Sequence, residues 1–154
     1  MLGSWIHTSR MRRFAAKQGT LPNLIIGGAQ KSGTTTLHRF LESHPDAFTP
    51  PKRQEIHYFD LEREYSKGLD WYQSLFCEWS GQPLVFQTSP LYLFLSFVPA
   101  RIRKDCPDIK LIFILRNPVD RAYSHYWHNV RFGVERLPFE KALTAEPRRI
   151  EKGF

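Results

Sequence analysis

The segment Leu24-Ile25-Ile26-Gly27-Gly28-Ala29-Gln30-Lys31-Ser32-Gly33-Thr34-Thr35-Thr36-Leu37 constrains this chain more than any other. It opens as an apolar run, passes through a glycine-rich turn carrying one lysine, and ends in helical periodicity. Leu37, Phe40 and Leu41 recur at helical spacing, leaving Arg39 and Glu42 for solvent. A strand, a glycine loop and a helix N-terminus in that order form an anion cradle. The first-turn N–H groups lack helical partners, and the helix dipole adds partial positive charge there. Glycines let the backbone approach anionic oxygens, and Lys31 supplies a point charge.

The loop departs from the ATP-binding pattern, in which lysine follows the last glycine and precedes Ser or Thr. Here Lys31 comes two positions before Gly33, and Thr34 follows that glycine. The charge balance agrees with an anionic partner: the 154 residues carry a formal charge of +7. Nucleic acid, acidic polysaccharide and a phosphorylated cofactor all satisfy that balance. No nucleic-acid-binding module is recognisable, so a nucleic-acid partner is not expected.

The length suits one domain with a real core. Residues 1–20 read as a basic leader, with Arg10, Arg12, Arg13 and Lys17 following Trp5 and Ile6. That order does not read as a convincing signal peptide, and no apolar run is long enough to span a bilayer. The simplest expectation is a cytoplasmic protein without a transmembrane segment. Cys77 and Cys106 show neither metal-ligand nor redox spacing and read as free thiols in apolar surroundings.

Further strands are expected at Leu84–Thr88 and over Lys110 to Arg116, where Leu111–Leu115 is a continuous apolar run typical of a strand buried on both faces. Helices are expected at Gly68–Phe76 and Phe97–Lys104. A third should open at Asn117 as N-cap with Pro118 in the first turn, and run to about Arg131. A short one starts over Pro138–Leu143. Alternating strands and helices predict an α/β fold, a parallel sheet with helices on both faces. Leu24–Gly27 and Leu111–Leu115 would be neighbouring central strands, with the anion loop at their C-terminal edge.

Lys52-Arg53-Gln54-Glu55-Ile56-His57-Tyr58-Phe59-Asp60 mixes ionisable with large apolar residues, a combination suited to a cleft wall. The apolar run ending at Arg116 is the second informative site. A nucleotide kinase places an acidic Mg²⁺ ligand at such a strand end. An arginine cannot hold a metal but can grip a phosphate bidentately. Ser124 follows two helical turns later.

Together these segments resemble the sulfotransferases that use 3′-phosphoadenosine 5′-phosphosulfate (PAPS). Ile26 to Leu37 is similar to that family's 5′-phosphosulfate loop. Leu115-Arg116-Asn117-Pro118-Val119-Asp120-Arg121-Ala122-Tyr123-Ser124-His125-Tyr126 is similar to its 3′-phosphate motif. Glu55 to Asp60 and Lys67 to Tyr72 resemble the heparan-sulfate-type branch. The resemblance implies a P-loop NTPase-like fold and sulfuryl transfer from PAPS to a hydroxyl or amine of a carbohydrate-like acceptor. It implies that Lys31 offsets charge on the leaving oxygen and that Ser32, Gly33, Thr34, Thr35 and Thr36 hold the 5′-phosphate. Arg116 and Ser124 would hold the 3′-phosphate, and Glu55 would act as base, with no metal required. His57 reads as a packing or orienting residue.

The chain departs from that branch at Gln87-Thr88-Ser89-Pro90-Leu91-Tyr92, where relatives often carry Glu-Lys-Thr-Pro-Ser-Tyr. Thr88 therefore replaces a lysine expected at the sulfuryl group. The sequence stops at Phe154, where relatives continue, so residues 21–154 read as the N-terminal portion of such a domain. The residues also fit two other readings: a non-catalytic fragment binding a nucleotide or polyanion, and a P-loop nucleotide kinase.

Overall fold

A computed structural model describes residues 19–51 and 54–152. Nearly all of the basic leader, together with Lys52 and Arg53, lies outside the described residues. Strand β1 (Leu24–Gly28) is buried along its whole length and leads through the glycine loop into α1 (Thr34–Glu42). A two-residue strand β2 (Ala47–Phe48) follows, then the short helices α2 (Glu62–Tyr65) and α3 (Leu69–Ser74). The remaining elements are β3 (Leu84–Thr88), α4 (Val98–Asp105), β4 (Lys110–Phe113), α5 (Pro118–Arg131) and α6 (Phe139–Glu151).

The four strands form one parallel sheet in the order β2-β3-β1-β4. Asn23 sets the start of the central pair. Its side-chain oxygen accepts from Val85 N–H at 3.0 Å and its amide donates to Pro83 O at 2.7 Å. Alternation along each strand divides the core into two layers. Leu24, Ile26 and Phe86 face α1, where Leu37 and Leu41 cover them. Ile25 and Val85 face the opposite way, against Tyr72 and Phe76 around α3 and Val98 and Ile102 of α4. Helices thus lie on both faces, as an α/β sheet requires.

The segment Glu55–Asp60 alternates from Glu55 to Tyr58 and then turns through Tyr58–Asp60, where successive residues are buried. Ile56 and Tyr58 point into the core, and Tyr58 stacks on Tyr72 with ring centroids 4.3 Å apart. Glu55 and His57 alternate outward. Tyr92 Oη donates to Ile56 O at 2.9 Å and accepts from Phe59 N–H at 3.1 Å, pinning the segment from beneath.

Three differences from the sequence expectations have physical causes. β4 neighbours β1, but it is an edge strand among the described residues, and it is not buried. Leu111, Ile112 and Phe113 are 44%, 37% and 42% exposed, because no described strand pairs beyond β4 and little covers its faces. Its apolar run records a capacity for burial that the described residues do not fill. The last helix is longer than expected and continues past Pro147, with its final turns tied to the body by an Arg149–Glu135 ion pair. The Gly68–Phe76 helix is shorter, ending at Ser74 in successive turns. Both cysteines are free; Cys106 is buried, and burial helped by Asp105 pushes its thiol up to about 11.

Candidate active site

The site is built at the C-terminal edge of β1, β3 and β4. Gly28 is required by close approach: a Cβ there would lie 2.8 Å from both Leu93 Cβ and Pro90 O, at a φ of +148°. Gly33 adopts a φ of 100° and begins α1 without a side-chain cap or an acidic residue in the first turn. That helix start is therefore left open to an anion. Ser32 Oγ is buried and has no hydrogen-bond partner, an orphaned donor within the loop. Thr34 is buried, whereas Thr35 and Thr36 are exposed at the helix entrance. A cradle of open amides, hydroxyls and one lysine fits a phosphosulfate group.

Beyond β4 the β1 ladder continues one step into the loop. Ile114 N–H donates to Gly28 O at 2.7 Å, and Ala29 N–H donates to Ile114 O at 2.9 Å. This pairing carries Arg116 alongside the cradle, where its guanidinium donates to Lys31 O at 3.4 Å. Asn117 then caps α5, its side-chain oxygen accepting from Val119 and Asp120 N–H groups. Ser124 stands one turn before His128 on α5, and His128 Nδ1 lies 3.4 Å from Lys31 Nζ. The fold thus brings together the loop, Arg116 and the α5 face bearing Ser124, although 97 residues separate Lys31 from His128.

Glu55 reaches the same edge through β3. It forms a parallel bridge with Thr88, and Ile56 N–H donates to Thr88 O at 3.2 Å. Glu55 Oε2 lies 3.6 Å from His57 Nε2, and His57 Nδ1 lies 2.7 Å from Asp60 Oδ2. Burial raises the Glu55 carboxyl above the ordinary carboxylate range, against the opposing charges of His57 and Lys31. The hydrogen bond to Asp60 raises His57. His128 is lowered, first by burial and then by the charges of Lys31 and Arg131, which favours a neutral ring facing the lysine.

Asp60 and His128 had no role assigned from the sequence. His128 was recoverable by helical arithmetic, since it follows Ser124 by four residues on a helix whose cap was already legible. Asp60 follows His57 by three residues, but the turn that joins them is not encoded by a period.

The fold and site define an α/β protein in which a glycine-rich loop after β1 lies between a carboxylate beside β3 and a basic residue after β4. A sulfotransferase domain model matches residues 21–148, and the chain belongs to that family. The mouse heparan sulfate glucosamine 3-O-sulfotransferase 5 is 40% identical over 106 residues, covering 69% of this chain and 30% of the relative. The human bifunctional heparan sulfate N-deacetylase/N-sulfotransferase 2 is 40% identical over 119 residues, covering 73% of this chain and 13% of that protein. A sulfotransferase from Alicyclobacillus acidocaldarius has a similar crystal structure, with a TM-score of 0.77 and 37% identity. That match covers 88% of this chain and 60% of the bacterial one, so the chain spans only part of these relatives.

Proposed function

We propose that this chain carries the donor site and base of a sulfotransferase moving a sulfuryl group from PAPS to a hydroxyl or amine of a carbohydrate-like acceptor. The observation that carries the reading is the convergence of the Lys31 loop, Arg116 and Glu55 at one sheet edge. PAPS, when bound, supplies an activated sulfuryl group. Ser32, Gly33, Thr34, Thr35 and Thr36 hold its 5′ end through the open α1 amides and hydroxyls. Arg116 and Ser124 would hold its 3′-phosphate, a group whose oxygens suit a guanidinium. Lys31 offsets negative charge on the departing oxygen, and His128 keeps its ammonium aimed across the loop.

Glu55 takes the acceptor's proton. Its raised pKa makes the ionised carboxylate a stronger base than a free one. His57 turns and charges that carboxylate, and Asp60 holds His57. Positioning and charge stabilisation carry the catalysis, as in phosphoryl transfer. The likeness to heparan sulfate enzymes supports a carbohydrate acceptor.

Calorimetric titration with adenosine 3′,5′-bisphosphate, set against ATP with and without Mg²⁺, tests the donor site. Metal-independent preference for the bisphosphate is the expected result. Preference for Mg·ATP would overturn it in favour of a kinase. Bisphosphate binding without transfer to any desulfated glycan would leave a non-catalytic nucleotide-binding module.

A further inference from the structure

His38 is a buried titratable side chain that the chemistry above does not use. It lies on α1, one turn beyond Thr34, and is 3% exposed. Its ring meets Phe86 edge-on, with centroids 5.2 Å apart, and its Nδ1 lies 2.8 Å from Thr88 Oγ1. Thr88 is itself 1% exposed, so neither partner has water as a substitute. Burial lowers the His38 pKa, which keeps the ring neutral against the hydroxyl.

Thr88 is tied in three directions. Its backbone pairs with Ile26 of β1, the strand that becomes the anion loop. Its carbonyl accepts from Ile56 N–H, and its bridge partner is Glu55. Its side chain reaches the helix that starts at that loop. One residue therefore links the α1 end of the donor cradle to the segment bearing the carboxylate.

We propose that the His38–Thr88 hydrogen bond is a positioning device that fixes the spacing between the anion loop and Glu55. The inference rests on the reading of Glu55 as base. In-line transfer needs the attacking oxygen, the sulfur and the base in one arrangement, and a misplacement of about 1 Å costs roughly 100-fold. β3 and α1 meet the site from different sides of the sheet edge. A directional bond between them resists a sliding of one past the other that apolar packing alone resists poorly. His38 and Thr88 are both buried and act as positioning residues, through the segments that they join.

Thr88→Val keeps the side-chain shape and removes the hydroxyl, while Thr88→Ser restores it. Amide hydrogen exchange read by NMR reports the linkage without requiring turnover. The expected result is exchange at Ile56 N–H about 10-fold faster in Thr88→Val, unchanged rates in α3 and α4, and recovery in Thr88→Ser. In a transfer assay kcat falls about 10-fold with the KM for PAPS within about twofold. An unchanged Ile56 rate, a uniform acceleration of all core amides, or a KM that rises as kcat falls would overturn the proposal. Glu55→Gln retaining full transfer would overturn the base assignment and the functional half of this inference, even with Ile56 responding as expected.

Discussion

Lys31 Nζ and His128 Nδ1 lie 3.4 Å apart, a contact between the turn after the first strand and a helix near the other end of the chain. The ammonium has only donors, so His128 must present an unprotonated Nδ1 and carry its proton on Nε2. Burial and the charge of Lys31 both lower the His128 pKa, and the pair is self-consistent at neutral pH. Protonation would turn the acceptor into a second cation facing Lys31. Transfer should therefore fall as pH drops through a value below the ordinary 6.5 of histidine. His128→Ala should lower kcat about 10-fold and remove that limb, while Lys31→Ala should cost about 100- to 1,000-fold. A pH–rate profile of the three proteins checks this, and an unaltered His128→Ala profile would remove His128 from the site.

Glu55 and His57 form a second coupled pair. His57 lowers the Glu55 pKa while burial raises it, and burial is the larger influence. Removing the histidine leaves burial less opposed, so Glu55 should titrate higher in His57→Asn. A base must be ionised to act, so the loss of kcat set by Glu55 protonation, separate from the His128 limb, should move to higher pH in that variant. Glu55→Gln should lower transfer about 100- to 10,000-fold while leaving bisphosphate affinity nearly unchanged. An acid limb that shifts to lower pH would contradict this arrangement of charges.

Arg116 has its guanidinium against Lys31 O and otherwise faces solvent at the loop. Removing a charged donor that grips a phosphate costs about 10- to 100-fold in affinity. Arg116→Ala should weaken adenosine 3′,5′-bisphosphate by that factor and adenosine 5′-phosphate much less. Arg116→Lys should recover only part of the loss, because an ammonium cannot make the bidentate contact. Calorimetry with both nucleotides separates a 3′-phosphate contact from general loss of the loop, which would weaken both equally.

The parts of this fold that a local period or cap specifies are legible in the sequence. Leu24–Gly28, Leu84–Thr88 and the helix begun by Asn117 and Pro118 follow from apolar runs, turn residues and an N-cap. The convergence of Arg116 with the Lys31 loop follows from parallel pairing of two apolar strands. What the sequence conceals is contact between distant segments. Neither the Glu55–Thr88 bridge nor the His38–Thr88 bond has a spacing rule, since each depends on how a loop or helix lies across the sheet. Exposure of Leu111 and Phe113 was equally hidden, because an apolar run states what a strand can bury and not what surrounds it.

The end of α6 gives a prediction independent of catalysis. Glu135 is 8% exposed and accepts from Arg149 and from the N–H groups of Arg136 and Leu137, and its carboxyl is lowered to about 2. Arg149 is the first cause and the backbone donors follow. A carboxyl depressed on folding adds stability that is fully present above its unfolded value and is lost as pH falls through the folded one. The stabilisation should therefore hold above about pH 4.5 and vanish progressively towards pH 2. Glu135→Gln should melt lower than the parent at pH 7, and the difference in Tm should shrink as pH falls through that window. Arg149→Gln should behave alike, because it removes the largest contribution from the other side. A Tm difference independent of pH would mean that α6 is held by apolar packing instead.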